Sequence, residues 1–264
     1  MNHFGSSPSH ELKWKSRRHL EASPPDVIVV PVGATEQHGP HLAIGTDTIH
    51  TKAVAIAAAE RADSINVLVA PPIAFGCSDH HLPFGATLSM STGTLLAVLH
   101  DVVRSISVSQ LGRVFFLNGH GGNHEVVQLA ARDGSQEFGV PVGAGSWWTI
   151  AWDDLVAAGA ADGVRLPGHA GGFETAVMSA LLQRPIADLP ERTLDFPPSD
   201  MRRFEDPFRV ESPGTWAQTD GYSDDPGALS AELGHSILEI GASAVAQALT
   251  DFVNRTNTAI KDTP

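Results

Sequence analysis

One short run of residues constrains the fold more than any other part of the chain. Residues 26–32 read DVIVVPV and follow two prolines. The run is apolar without polar alternation and rich in β-branched residues, which is typical of a strand buried on both faces. Because such strands belong almost only to parallel sheets covered by helices, the run predicts an α/β protein.

The same alternation of strand and helix recurs along the chain. Strands that alternate with helices predict a mostly parallel sheet covered by helices on both faces. We expect one domain over residues 1–264, with a long surface excursion at about 193–225, where Pro, Asp, Arg and Ser replace the periodic pattern. Helices are predicted at 48–62, 94–111, 124–138 and 230–254, and further strands at 66–70, 113–118 and 140–144.

The charge balance disfavours some classes of partner. The chain has 30 acidic and 17 basic side chains and a formal net charge of −13, which argues against nucleic acid or an anionic membrane as partner. Residues 13–18 (KWKSRR) are interpreted as a solvated helix face. With one cysteine, Cys77, and no apolar run of about 18 residues, we expect a cytoplasmic protein that does not cross a membrane.

Ionisable side chains cluster directly after the first predicted strand. Residues 33–47 read GATEQHGPHLAIGTD and contain Glu36, His38, His41 and Asp47. Ligands of parallel α/β proteins bind beyond the carboxyl ends of strands, and the spacing of Glu36 and His38 points both side chains the same way. Carboxylates and imidazoles of this kind can converge on zinc, iron or manganese. A solvated polar loop is the alternative.

Two further histidines stand among glycines. Residues 115–123 (FFLNGHGGN) end an apolar run with His120, whose glycine neighbours allow the backbone to approach a ligand closely. Residues 168–178 (GHAGGFETAVM) place His169 and Glu174 at the start of a predicted helix. His169 is a candidate acid or base. The alternatives are a Gly-rich turn for His120 and a helix-capping carboxylate for Glu174.

Together these segments resemble the signature blocks of the creatininase family of metal-dependent amidohydrolases. The blocks are PVGATEQHGPHLAIGTDT, LNGHGGN and HAGGFET, and the stretch DDPGALSAELG is similar to the family's C-terminal block. The resemblance implies a three-layer α/β/α sandwich with two divalent metal ions at the edge of its sheet, zinc with manganese or iron as alternatives. It implies that Glu36 and His120 bind one ion and that His38 binds the other. Asp47 would bridge both.

The chain departs from creatininase itself near the expected ligands. Creatininase has a Glu at the position of Gly122, so the second ion needs another carboxylate. Glu174 and Glu125 are the candidates, with water as a third alternative. Arg165 and Gly168 stand where creatininase has a Trp and a Glu close to the catalytic His, which argues against creatinine as the substrate.

Four residues are predicted to bind substrate. Ser78, His81 and Gly121 belong to segments close to the expected ligands, and a surface loop is an equal alternative for Ser78 and His81. Trp148 lies near the position at which members of the family, by this resemblance, have a tryptophan that approaches the substrate. Core or interface packing is the alternative for the aromatic residues of this segment, GSWWTIAWDD at residues 145–154.

The expected activity is hydrolysis of a non-peptide C–N bond, in a cyclic amide or amidine, by a metal-bound hydroxide. His169 and Glu174 are the predicted catalytic residues, with His169 carrying a proton to the leaving nitrogen. The alternatives are a formamide deformylase, a mycofactocin-type peptide-cleaving enzyme and a non-catalytic binding module. The expected partners are a small-molecule substrate and further copies of the chain, because family members are similar in forming ring-like homo-oligomers such as hexamers.

Other enzyme classes lack their motifs in this sequence. A dinucleotide-binding G-x-G-x-x-G turn, a Walker motif and the G-x-S-x-G turn of serine hydrolases are all absent from the chain. The sequence therefore favours metal-dependent hydrolysis over nucleotide binding or a nucleophilic serine.

Overall fold

A four-stranded parallel sheet forms the centre of the protein. The structure is a computed structural model that describes residues 10–190 and 220–261, with side chains up to residue 257. The strands are β1 (Val27–Val32), β2 (Val67–Val69), β3 (Arg113–Asn118) and β4 (Val142–Ser146). The sheet has the order β2-β1-β3-β4, and every neighbouring pair is parallel.

Eight α-helices surround this sheet in the described ranges. The longest of them closes the described chain, and short 3-10 helices lie at Leu12–Trp14, Asp79–Phe84 and Gly121–Asn123. The α-helices are α1 (Arg17–Ala22), α2 (Thr46–Arg61), α3 (Thr92–Val108), α4 (His124–Phe138), α5 (Trp147–Ile150), α6 (Trp152–Ala157), α7 (Gly172–Leu182) and α8 (Ala231–Lys261).

Alternate residues of each strand pack into two separate hydrophobic cores, one on each face of the sheet. Val27 and Val29 pack with α2, α7 and α8 on one face of the sheet. Ile28 and Val30 pack with α3 and α4 on the other face. Because successive side chains of a strand point to opposite faces, the unbroken apolar run of β1 is what this arrangement requires. The predicted α/β/α sandwich with a mostly parallel sheet is confirmed.

The observed element bounds differ from the predicted ones where polar residues begin a helix. α2 starts at Thr46, so Asp47 lies in its first turn and not in the preceding loop. β4 begins and ends two residues later than predicted, and α5 follows its last residue directly. The strand at 113–118 and the helix at 124–138 have the predicted bounds.

The predicted surface excursion at about 193–225 lies mostly outside the described residues. Its last part is described, and the prediction is wrong there, since Tyr222, Ser223 and Asp224 are buried. Ser223 and Asp224 bond to the segment that carries His169, which explains their burial. The assignment of one domain to residues 1–264 stays a prediction.

Helix α8 contains a stretch, Ala231–Asn257, that is long and apolar enough to cross a membrane by length and composition. The stretch is not an unbroken apolar run, because Glu232, Glu239 and Asp251 lie within it, and the expectation that the chain does not cross a membrane stays a prediction. The apolar residues have another explanation in the fold, because Ile237, Leu238 and Leu249 are fully buried in the core beside α2 and α7. A helix that is buried in the core of a protein can be as long and as apolar as one that crosses a membrane.

The crossing of α7 and α8 depends on Gly234. A Cβ atom at this position would lie 2.0 Å from the carbonyl oxygen of Ala176. The two helix backbones therefore touch at a point where no side chain fits. This contact fixes α7, which begins two residues before Glu174.

We expect Gly234→Ala to lower the free energy of unfolding by about 3 kcal/mol or more, because the added methyl forces the helices apart. Urea unfolding followed by tryptophan fluorescence measures the change. Gly93→Ala in α3 is the matched control, since a Cβ there meets no atom within 4 Å and stability should stay constant or rise. Equal stability of the two variants would contradict the close contact.

Candidate metal centre

The candidate site lies where the carboxyl ends of β1 and β3 diverge. The chain leaves β1 towards β2 on one side and leaves β3 towards β4 on the other, so a crevice opens between the two strands. Glu36 and His38 follow β1, and His120 follows β3. Asp47 and Glu174 enter from the first turns of α2 and α7. All five side chains are buried.

His38 presents its inner nitrogen to two carboxylates. Its Nδ1 lies 3.1 Å from the carbonyl oxygen of Glu36, to which it donates. Its Nε2 lies 3.2 Å from Asp47 Oδ1 and 3.6 Å from Glu174 Oε2. In a neutral ring Nε2 therefore carries a lone pair that faces two oxygen acceptors, which is favourable only with a cation between them.

His120 is oriented in the same way from the opposite side of the cluster, with one ring nitrogen donating outwards and the other facing carboxylates. Its Nε2 lies 3.1 Å from the carbonyl oxygen of Cys77 and donates to it. Its Nδ1 lies 3.0 Å from Asp47 Oδ2 and 3.3 Å from Glu36 Oε1. Asp47 thus turns one carboxylate oxygen towards each histidine, as the predicted bridging role requires.

The Gln37 side chain connects His81 and His169. Its Nε2 lies 2.9 Å from His81 Nδ1 and 3.0 Å from His169 Nε2, and its Oε1 accepts from the Gly39 backbone N–H. His169 Nε2 also lies 2.9 Å from the Gln37 carbonyl oxygen. The inner nitrogens of both rings approach Glu36 Oε1, at 3.5 Å from His81 and 3.4 Å from His169.

The donor atoms fit divalent ions in chemistry and in spacing. Neither carboxylate oxygen of Glu36 nor Oδ2 of Asp47 forms a well-aligned hydrogen bond within the described residues, although all three atoms are buried. Two ligand atoms on one tetrahedral zinc, each about 2.1 Å away, are separated by roughly 3.4 Å. The separations of 3.0 to 3.6 Å that His38 and His120 keep from the carboxylates match this value.

Burial and mutual contact shift the pKa values of these groups strongly. Burial raises the pKa of Glu36 to about 7 and that of Glu174 to about 8. Burial lowers the pKa of His38, but Asp47 and Glu174 outweigh it and raise the value to about 10. For His120, Glu36 and Asp47 outweigh burial and raise the pKa to about 9. Protons thus occupy the inner histidine nitrogens when no cation is present.

Position 122 cannot hold a carboxylate in this backbone. A Cβ on Gly122 would lie 2.2 Å from the Cys77 carbonyl oxygen and 2.5 Å from His120 Nε2. Of the two replacements considered, Glu174 reaches the cluster and its Oε2 also accepts from the Ala170 N–H at 2.6 Å. The candidacy of Glu125 is wrong, because its side chain is exposed on α4 outside the cavity.

A small cavity opens onto the cluster, and the predicted substrate residues divide around it. His81, Gly121 and Trp148 line the cavity. Ser78 does not, because it is fully buried behind His120, with its Oγ 3.4 Å from His120 Nε2. His81 is buried and not part of a surface loop, whereas its neighbour His80 is exposed at the cavity mouth.

The three tryptophans of this segment have different surroundings. Trp148 lines the cavity, and its Nε1 has no hydrogen-bond partner in the described part of the chain. Trp147 is fully buried in the core, and Trp152 packs at the edge of the same core. Cavity lining therefore applies to Trp148 and core packing to the other two.

Several residues in or beside the cluster were not among the predicted site residues. His50 is buried one turn after Asp47 on α2, with its Nε2 3.6 Å from Asp47 Oδ1. Ser223 Oγ accepts from the His169 N–H at 2.8 Å, and Asp224 Oδ1 accepts from the Gly172 N–H at 2.8 Å. The spacing of three residues between Asp47 and His50 indicates that both side chains lie on one face of the helix, and this is the sequence pattern that could have identified His50. His41, placed near the cluster by the sequence, is half-buried and lies outside the cavity wall, 3.2 Å from Thr175 Oγ1.

A parallel α/β sandwich with a buried carboxylate and imidazole cluster at the divergence of two strands is an arrangement of metal-dependent hydrolases. The sequence pattern of one such family, creatininase, described as creatinine amidohydrolase, matches residues 10–249. The chain belongs to the creatininase family. This confirms the resemblance drawn from the sequence blocks.

Individual relatives agree with this assignment. The chain is 31% identical over 263 residues to the creatinine amidohydrolase of Pseudomonas putida, covering 91% of this chain and 95% of that protein. A crystal structure of a creatinine amidohydrolase superposes with a TM-score of 0.75 at 27% identity, covering 93% of this chain and 98% of the other. A mycofactocin precursor peptide peptidase from Mycolicibacterium smegmatis is 44% identical over 123 residues, 45% of this chain and 49% of that protein.

We expect metal binding to release about three protons per chain at pH 7.5. His38 and His120, with pKa values raised to about 10 and about 9, each lose one proton. Glu36 and Glu174, with pKa values raised to about 7 and about 8, together lose about one more. The apparent affinity should rise with pH up to these values. Calorimetric titration with zinc, repeated in buffers of different ionisation enthalpy, gives the proton count. Binding without proton release at pH 7.5 would contradict the assignment of these two histidines as ligands.

Proposed function

We propose that this protein is a metal-dependent hydrolase that cleaves a non-peptide C–N bond in a small cyclic amide or amidine. One observation supports this most directly: Glu36 Oε1 and Asp47 Oδ2, which are buried without well-formed hydrogen bonds, face the inner nitrogen of His120, and Asp47 Oδ1 faces that of His38. Burying such a cluster costs free energy in the absence of cations, and its donor atoms suit a pair of catalytic metal ions.

We infer two ion sites that share Asp47. Glu36 and His120 would hold one ion, and His38 and Glu174 would hold the other. Imidazole and carboxylate donors suit zinc, manganese and iron. Two other solved creatininases, one described as a Zn–Zn type and one as a manganese form, are in keeping with this choice.

The ions, when bound, polarise the carbonyl or imidate carbon and lower the pKa of water. His169 supplies the proton transfer. Its pKa lies well below the ordinary value, because burial and the neighbouring His38 disfavour its charged form. A neutral ring next to the cluster can take a proton from the attacking water and pass it to the leaving nitrogen as the C–N bond breaks.

Gln37 allows His169 to keep its orientation during this transfer. His169 Nε2 can donate to the Gln37 carbonyl oxygen or accept from the Gln37 side-chain amide, which lie at 2.9 and 3.0 Å. A hydrogen-bond partner is therefore present for either state of this nitrogen. The catalytic role of Glu174 beyond metal binding stays a prediction.

The cavity favours a small neutral substrate. Among the described residues, its wall contains no Lys or Arg, and glycines at 119, 121, 122 and 168 leave room close to the backbone. Trp148 lines the cavity, and its buried Nε1–H has no hydrogen-bond partner among the described residues, so we infer that it donates to a carbonyl oxygen of the substrate. A cyclic amide offers such an oxygen next to its C–N bond.

A peptide is the second candidate substrate. The 44% identity to a mycofactocin precursor peptide peptidase over 123 residues exceeds the 31% identity to creatinine amidohydrolase. The same metal cluster and His169 could serve either bond. A cytoplasmic location and a homo-oligomeric assembly, with a hexamer as the family precedent, stay predictions.

We expect about two metal equivalents per chain in the wild type, about one in Glu174→Gln and almost none in Asp47→Ala, since Asp47 would bridge both ions. Elemental analysis after purification without chelators measures this. Glu125→Gln is the matched control, because it removes an exposed carboxylate outside the cavity and should leave the metal content unchanged. One equivalent in the wild type would argue against a two-ion centre.

We expect His169→Ala to retain its metal but to lose at least about 100-fold in kcat, because proton transfer to the leaving nitrogen is removed. The substrate comes from a screen of cyclic amides, amidines, formamides and short peptides with the metal-loaded wild type. His235→Ala, which removes an exposed histidine on α8, is the control. Full turnover by His169→Ala would show that another group carries the proton.

A further inference from the structure

His50 is a buried imidazole at the cluster that the proposed chemistry does not use. It lies on α2, one turn after Asp47, and 1% of its surface is exposed. Its Nε2 lies 3.6 Å from Asp47 Oδ1. One ring nitrogen of His50 and one carboxylate oxygen each of Asp47 and Glu174 lie close enough together to hold a metal ion. By position alone it could be a third metal-binding histidine or a support for Asp47.

The outer nitrogen of His50 decides between these roles. Trp147 Nε1 donates to His50 Nδ1 at 3.1 Å. An indole N–H can only donate, so Nδ1 must be an acceptor and the proton of the neutral ring stands on Nε2. The inner nitrogen of His50 therefore presents an N–H to Asp47 and has no lone pair for a metal.

A second neighbour agrees with this assignment. Thr51 Oγ1 lies 3.3 Å from His50 Nδ1, but its hydroxyl donates to the Asp47 carbonyl oxygen at 2.5 Å. The single hydroxyl proton of Thr51 is thus already used on the backbone of α2. Trp147 is left as the donor that fixes the His50 tautomer.

Trp147 is itself held rigidly. It is fully buried, and its ring stacks on Phe173 with centroids 5.5 Å apart and an angle of 24°. A Cβ on Gly241 of α8 would lie 2.9 Å from the Trp147 ring, so that helix packs directly against it. The indole N–H therefore has a fixed direction, set by three elements on one face of the sheet.

The polarity of His50 is opposite to that of the proposed ligands. His38 and His120 donate outwards to backbone carbonyl oxygens and leave their inner nitrogens free of protons in the neutral ring. His50 accepts on its outer nitrogen and points a proton inwards. The hydrogen bonds thus separate imidazoles that bind an ion from one that orients a carboxylate.

We propose that His50 is a positioning residue that directs its Nε2–H at Asp47 Oδ1, with its tautomer set by Trp147, and that it is not a metal ligand. The separation of 3.6 Å is longer than a hydrogen bond, so the contact acts as an oriented dipole beside the carboxylate. It holds Oδ1 on the His38 side while Oδ2 faces His120. The inference rests on the proposed metal centre.

The first test reads the tautomer without any metal. Nitrogen-15 NMR of the metal-free protein distinguishes the two ring nitrogens, and the His50 signals are those missing from His50→Gln. We expect the proton on Nε2 in the wild type and a mixture of tautomers in Trp147→Phe, which keeps the ring and loses the N–H. A proton on Nδ1 in the wild type would overturn the proposal.

The second test measures zinc affinity by competition with a chromophoric chelator. We expect His50→Leu and Trp147→Phe each to weaken zinc binding by about 10- to 100-fold, as is usual when a group that orients a metal ligand is lost. His50→Gln, which retains an N–H, should stay within about 3-fold of the wild type. The double variant should bind no more weakly than His50→Leu, because Trp147 acts through His50.

Trp152→Phe is the matched control, since it makes the same substitution at another tryptophan of the same core. An equal loss of affinity in this control, or unchanged affinity in His50→Leu, would overturn the proposal while the wild type still binds zinc. Failure of the proposed function gives a different result, namely that the wild type itself binds no divalent ion. The NMR test stands independently of that outcome.

Discussion

The architecture depends on neutralising a group of buried carboxylates. Glu36, Asp47 and Glu174 are brought together from three separate elements in a place that water hardly reaches. Each carboxylate loses solvation there, and the surrounding imidazoles offset that loss only with protons or cations between the facing atoms. The raised pKa values of Glu36 and Glu174 and of His38 and His120 are two consequences of the same constraint.

The fold meets this constraint through the way its layers connect. The two strands that diverge supply Glu36, His38 and His120, and the helices on one face supply Asp47 and Glu174. Residues 223–224 return late in the chain and bond to the loop that carries His169. The cluster is thus assembled from segments far apart in sequence, each held by backbone contacts.

Much of this was predictable from local patterns, because apolar runs and helical spacing are local properties. The bounds of β3 and α4 were predicted correctly, and the site was placed at the right edge of the sheet. Contacts between distant segments were not predictable. The choice of Glu174 over Glu125, the burial of Ser223 and the position of Ser78 behind His120 depend on packing that no local pattern encodes. His50 was missed because a histidine inside an alanine-rich helix is unremarkable by composition.

The outward hydrogen bonds of the cluster have a consequence for how the site can change. His38, His120 and His169 are oriented by the carbonyl oxygens of Glu36, Cys77 and Gln37, and the Gln37 amide is itself oriented by the Gly39 N–H. Every residue type carries such a carbonyl, so replacing the side chain of Cys77 leaves its acceptor in place. The direction of each imidazole therefore does not depend on the identity of the neighbouring side chains. Evolution or design can change the cavity wall while the inner nitrogens keep their direction.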